Sequence, residues 1–386
     1  MKRKLNQLVA ITLMLVLSHS VQAQLDTINV VTSAVPFLRI SPDARAGGMG
    51  DLSLATAPDA NSSFYNLAKT PFAPNNTGFA LTYTPWLKDL GLTDVYLMSA
   101  AGYMKLDDLQ AISAGVRYFS LGNIQFTDIS GLDFGEGRPR EFGLDLGYSR
   151  KLGEKLALGF AFRYIYSNLA AGQVIGSTTY KAGNAVAGDV SLYYTGAANG
   201  GSGWNFGAAL TNLGSKIGYT NDATQKDYIP TDLGLGVTYT KAYDESNKLT
   251  FGIDAHKLLV PTPPRFTGDY STDSLAITKY RTKNVVASWF SSLGDAPGGF
   301  GEELKEVNVS AGAEYNYNDQ FMFRAGYFYE NKTKGNRTYF TVGFGIRYNV
   351  MNLNFSYLVP SGQGVNRNPL SNTLRFGIVF DMDDSK

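Results

Sequence analysis

The 386-residue chain has no cysteine, which excludes a disulfide framework and any thiolate metal site. Histidine is nearly absent too. His19 falls within the first 23 residues, so His256 stands alone beyond them, and a metal site would have to be all-oxygen; neither metal nor cofactor is expected. Charge is sparse and balanced, with 34 basic and 33 acidic residues, a net charge of +1 and no Lys/Arg cluster. Nucleic acid is therefore not an expected partner. Beyond the first 23 residues no apolar run approaches the ~18 to 20 residues of a membrane-spanning helix. A chain of this kind enters a membrane only as a closed β-barrel, because only helices and barrels satisfy the backbone in hydrocarbon.

What is abundant points to sheet. Aromatics make up 13%, with 24 Tyr and 23 Phe, and Gly reaches 42, a mix that favours pleated, closely packed strands over helices. The start reads as a secretory signal peptide over residues 1–23. Lys2, Arg3 and Lys4 supply the basic region, Leu8 to Leu17 the apolar one, and Val21-Gln22-Ala23 the cleavage site, so the mature chain is expected to begin at Gln24.

From residue 76 onward apolar and polar residues alternate with period two. Phe142, Leu144, Leu146 and Tyr148 oppose Gly143, Asp145, Gly147 and Ser149, and similar runs recur to the end of the chain. Charges within these runs share the small, polar face: Arg117, Asp145, Arg163, Asp189, Asp254, His256, Glu314, Arg324, Arg347 and Arg375. A basic residue on a lipid face at mid-bilayer costs about 2 to 4 kcal/mol, so this segregation assigns the charges to a lumen. A soluble sandwich also alternates, but its strands average about 5 to 6 residues, whereas these runs last roughly 9 to 13. The expected fold is all-β, a transmembrane antiparallel barrel of about fourteen strands centred near Leu81, Leu97, Ala114, Leu146, Phe160, Val190, Ala208, Leu235, Phe251, Ala311, Ala325, Phe344, Phe355 and Phe376. Short and long connections alternate, which places short turns and both termini in the periplasm of a Gram-negative cell and the long loops outside.

Three segments stand apart. Residues 24–75 form an N-terminal segment whose stretch from Arg39 to Ala68 is dense in small and turn-forming residues, with Gly47, Gly48 and Gly50 free to take positive φ. It reads as an irregular plug, neither helix nor strand. Residues 258–303 make the longest loop, where Val286, Trp289, Phe290 and Leu293 recur at helical spacing and 295–299 end the helix. These apolar groups either dock on the barrel's own mouth or form an exposed contact for another protein. The acidic tail from Asp381 to Lys386 reads as solvated.

Catalytic chemistry is scarcely represented. Asp254 and His256 share strand parity, but no nucleophile is identifiable beside them. The Gly47-Gly48-Met49-Gly50 run lacks the Lys-Ser/Thr of a phosphate loop, and the chain is not expected to be an enzyme.

The run R-I-S-P-D-A-R-A-G-G-M-G-D from Arg39 to Asp51, with D-A-N-S-S-F-Y-N-L-A from Asp59 to Ala68, resembles the N-terminal signature of the PorV (also called LptO) family, FadL-like outer-membrane barrels of the Bacteroidota type IX secretion system. The likeness extends through Phe251 to Asp254, Trp289 to Leu304 and the last strand. Leu67 stands where FadL-like barrels commonly carry Pro. The resemblance implies a hatch that includes Arg45, Gly47, Gly48, Gly50, Asp59, Asn61 and Asn66, and a barrel that binds proteins rather than conducting them. Its implied partners are the large translocon barrel of the type IX system, cargo proteins with a C-terminal signal domain, the attachment complex containing the sortase-like PorU, and outer-membrane lipid. Val286, Trp289, Phe290, Leu293 and Phe300 are the candidate contacts. The competing expectation is a FadL-like transporter of small hydrophobic molecules.

Overall fold

The computed structural model describes residues 28–127, 130–175, 177–197, 201–222, 224–359, 370 and 372–383. The expected leader, part of the turn at 198–203, most of 360–372 and the end of the acidic tail lie outside these residues.

Fourteen strands close into one antiparallel barrel in sequence order. They are β1 (Thr77–Pro85), β2 (Val95–Lys105), β3 (Gln110–Leu121), β4 (Arg140–Lys151), β5 (Leu156–Asn168), β6 (Gly183–Thr195) and β7 (Gly203–Gly214), then β8 (Asp232–Ala242), β9 (Asn247–Leu258), β10 (Asn308–Tyr317), β11 (Phe321–Tyr329), β12 (Thr338–Tyr348), β13 (Met351–Val359) and β14 (Leu374–Met382). Pairing of β14 with β1, from Thr77 opposite Met382 to Tyr83 opposite Phe376, removes the last free edge. Every expected strand centre falls inside a strand.

The alternation turns the usual burial pattern inside out. Leu146 is 65% exposed and Phe162 55%, whereas Arg163, next in sequence to Phe162, is 1% exposed. Apolar side chains therefore clothe the outer wall and the charges point inward, as a hydrocarbon solvent requires. The last strand runs further than the pattern suggests, through Met382. Asp381, read as part of a solvated tail, instead accepts a hydrogen bond from Asn352 Nδ2 at 2.8 Å and faces Arg347 at 3.8 Å.

One barrel mouth carries tight turns at 106–109, 152–155, 243–246, 318–320 and 349–350. Asn318, Asp319 and Asn349 take positive φ there, a conformation that short polar side chains tolerate. The other mouth carries the long loops at 122–139, 169–182, 215–231 and 259–307, and two connections of moderate length at 86–94 and 330–337.

The N-terminal segment threads the lumen from the long-loop mouth to the short-turn mouth. Asn29 N donates to Thr333 O at 3.1 Å and Ala34 N to Tyr228 O at 2.8 Å, both on long-loop connections. The chain then descends through a 3-10 turn (Pro36–Arg39), the helix α1 (Ala44–Gly48) and two further 3-10 turns (Ala60–Phe64 and Leu67–Phe72). Tyr103 Oη reaches Asn75 O at 3.2 Å as the chain leaves for β1. The segment was expected to fold back from the short-turn side; instead residues 28–34 lie at the mouth opposite Met382, because the described segment runs the height of the lumen.

The outer-wall assignment fixes a test. Leu146→Arg, at the centre of β4, is expected to lower stability by about 2 to 4 kcal/mol in urea titrations of the barrel in lipid vesicles. A charge placed at Leu152 in a short turn should cost well under 1 kcal/mol by the same depth dependence.

Candidate functional site

Two features distinguish this barrel from a plain pore: a hatch braced across the lumen and an apolar platform at the long-loop mouth.

The hatch begins with a capped turn. Asp43 accepts from the backbone N–H groups of Arg45 and Ala46 at 3.0 and 2.9 Å, which closes the donors that a five-residue helix leaves open. The plug was expected to be irregular; short-range capping makes this part helical. Of its glycines only Gly50 takes positive φ, at +70°. Gly47 and Gly48 lie within α1 and are small for another reason: a Cβ on Gly47 would sit 2.1 Å from Arg375 Nη1, and one on Gly48 2.9 Å from Gly343 Cα. The wall answers in kind, since a Cβ on Gly326 would come within 2.0 Å of the Met49 carbonyl carbon. Backbone lies directly on backbone.

Charges then lock hatch to wall. Arg45 spans Glu314 on β10, at 3.0 Å from Nε and 2.8 Å from Nη2, and Asp59 within the hatch at 3.1 Å. Arg324 completes the group, with Nε 2.6 Å from Glu314 and Nη1 2.8 Å from Asn354. Arg375 pairs with Asp51 at 3.2 Å, and Tyr339 donates to the same carboxylate at 2.7 Å. Asp254, which forms no ion pair within 4 Å among the described residues, accepts from the N–H groups of Ser53 and Leu54 at 2.7 and 2.9 Å. Arg163 bridges Asp145 and Asp189 and donates to Asn212, while Arg117 lies 5.0 Å over the Phe64 ring.

Other expected residues settle differently. His256 pairs not with Asp254 but with Asp232 on the neighbouring strand, Nδ1 to Oδ2 at 2.7 Å. Arg347 sits half-exposed at the short-turn mouth beside Asp381, away from the lumenal network. Asn61 holds Asp43 from the side at 3.1 Å. Asn66 caps the last 3-10 turn by accepting from Ala68 N, and its amide donates to Leu54 O and Leu192 O at 2.9 and 3.0 Å. Leu67 thus occupies the first position of a helical turn, where Pro is favoured but not required.

The platform is made by loop 259–307, which folds as α2 (Tyr270–Thr282), α3 (Val285–Ser291) and α4 (Phe300–Lys305). The expected single helix ends at Ser291, so Leu293 lies beyond it. Most of the candidate contacts face away from the protein. Val286, Phe290, Leu293 and Phe300 are 51%, 73%, 52% and 76% exposed, Trp289 is half-buried, and Ser288 and Ser292 are the buried ones. A rigid ionic base holds them out. Lys257 reaches Glu303 and Glu306 at 2.7 and 2.8 Å, and Lys334 reaches Glu302 and Glu306 at 2.7 and 2.9 Å. Burial opposes ionisation of Glu302, but Lys334, the Gly298 N–H and Arg265 outweigh it and hold its pKa below the usual carboxylate range. Sequence reading missed this base, although Glu302 and Glu306 are spaced four apart on one helical face. It also missed α2, which buries none of its residues and so shows no apolar period.

A family model described as Type IX secretion system protein PorV matches residues 22–265, which includes the whole hatch and the first nine strands. The chain belongs to the PorV family. This PorV-family chain has no match among curated proteins. Among solved structures it is similar to the Ralstonia pickettii toluene transporter TbuX, at 12% identity over 88% of this chain and 97% of that one, with a TM-score of 0.51. The Pseudomonas putida toluene transporter TodX gives 12% identity, 88% and 98% coverage, and a TM-score of 0.51. At such identities the likeness establishes the closed β-barrel fold alone. The match to the PorV model ends before α2, so the three platform helices lie outside it.

The hatch network ranks substitutions. Glu314→Gln leaves the buried Arg324 guanidinium without its carboxylate and Arg45 with Asp59 alone, and is expected to cost about 3 to 5 kcal/mol. Arg45→Met leaves Glu314 its Arg324 partner and should cost less, an order that urea titrations of the two variants would check.

Proposed function

We propose that this barrel is a docking component of type IX secretion: it binds the translocon and the C-terminal signal of cargo proteins at its extracellular mouth and passes cargo to the cell-surface attachment complex containing the sortase-like PorU. The reading rests on one observation, the outward-facing apolar platform carried on a buried ionic base. Large apolar side chains held in water by a rigid scaffold are costly to the free protein and are characteristic of protein-binding surfaces. Val286, Trp289, Phe290, Leu293 and Phe300 are its proposed contacts.

The lumen supports the same reading. The hatch lies backbone on backbone against the wall and shares buried ion pairs with it, as a lumen that does not conduct solutes would require. Under this reading the toluene-transporter likeness is one of scaffold only. Residues 1–23 act as the secretory leader, 24–75 as the hatch segment and 76–386 as the barrel. The lumenal charges brace the hatch and have no catalytic role.

The test is the double variant Phe290→Asp with Phe300→Asp. Both side chains are more than 70% exposed, so the barrel should remain heat-modifiable on gels. Secretion of a cargo protein with a C-terminal signal is expected to fall at least tenfold, and the translocon barrel should no longer co-purify in mild detergent. Normal secretion by this variant would overturn the proposal, and so would uptake of a labelled hydrocarbon by vesicles holding the intact protein.

A further inference from the structure

Residues 28–35 belong neither to the hatch network nor to the platform helices, yet they touch three of the loops that make up the long-loop mouth. The segment is extended, with Asn29 and Val31 buried and Ile28 and Thr32 exposed, Ile28 by 74%. Asn29 N donates to Thr333 O at 3.1 Å and its Nδ2 to Pro263 O at 3.3 Å, tying loop 330–337 to loop 259–307. Val31 packs with Tyr228, Leu258 and Val260, and Tyr280 of α2 lies against the same cluster. Ala34 N then donates to Tyr228 O at 2.8 Å.

Tyr228 is the junction. Its hydroxyl donates to Tyr280 O and Lys283 O at 3.0 and 3.1 Å, at the C-terminal end of α2. Lys216 lies 4.1 Å over the Tyr228 ring and donates to Arg281 O and Lys283 O at 2.6 and 2.7 Å. A cation on the last carbonyls of a helix satisfies acceptors that have no intrahelical partner. These bonds and the Val31 cluster are what anchor α2, which buries none of its own residues. Immediately below, Phe37 and Leu38 enter the apolar top of the lumen and Arg39 meets Glu330 at 3.5 Å.

We propose that residues 28–35 are a strap displayed on the extracellular face, completing the docking platform. Ile28 is exposed at the long-loop mouth, and the long loops of an outer-membrane barrel face the outside. The occupant is the protein partner proposed above, to which Ile28 adds one more exposed apolar side chain. This second part rests on the docking function proposed above; the display does not.

The absence of cysteine makes the test clean. Ile28→Cys and, as the opposite-mouth control, Leu152→Cys are treated on intact cells with a membrane-impermeant biotin maleimide. Ile28→Cys should be labelled at once and Leu152→Cys only after the outer membrane is permeabilised. Labelling of Ile28→Cys only after permeabilisation overturns the display. For the second part, Val31→Asp, or Val31→Ala should the former fail to fold, is expected to expose residues 259–307 to added protease on intact cells and to lower cargo secretion at least tenfold. Wild-type protease resistance and secretion in a folded variant would remove the strap from the platform. Normal secretion by the Phe290/Phe300 variant would instead defeat the docking function while leaving the labelling result to stand.

Discussion

The interaction on which the rest of the structure depends is the pairing of lumenal charges with the hatch. A barrel wall in hydrocarbon must direct its charges inward, and a narrow lumen then gathers guanidiniums and carboxylates where they are poorly solvated. The threaded segment resolves this by supplying what the wall lacks. Arg45 meets Glu314, Asp51 meets Arg375, and the backbone of Ser53 and Leu54 meets Asp254. Removing the hatch would cost both its own packing and the neutralisation of the wall. The hatch therefore contributes to the stability of the wall as well as filling the lumen.

Glycine provides the second half of that constraint. Ion pairs of this length need close approach, and the close approach of Met49 to β11 is possible only because Gly326 presents no side chain. The same reasoning explains why α1 carries Gly47 and Gly48 despite their poor helix propensity.

Much of the barrel was legible in the sequence because its determinants are local. Period-two alternation and the parity of Arg163 against Phe162 fix which face meets lipid, and fourteen such runs fix closure. What could not be read depends on the third dimension. Strand parity brought His256 and Asp254 to one face, but it could not show that Asp254 would be claimed by hatch backbone and His256 by Asp232 across the strand pair. The hatch was recognisable from its Gly, Pro and Asn content, yet its direction was not, because no local pattern says whether a plug enters from above or below. The α3 apolar spacing was visible, whereas its outward orientation follows from Ser288 and Ser292 being turned toward the protein and from a base of lysines and glutamates scattered from 257 to 334.

In the proposed function hatch and platform divide the labour, the hatch closing the lumen and the platform offering an apolar surface above it; the segment from Val31 to Arg39 runs continuously between them. The central claim is that the hatch is a seal. Single-channel recording in planar bilayers compares the intact protein with a variant lacking residues 44–67, the part that carries Arg45, Asp51 and the Ser53–Leu54 backbone. The intact protein should show no steady ion conductance and the deletion discrete open-channel steps; a deletion that conducts no more than the intact protein would contradict the account.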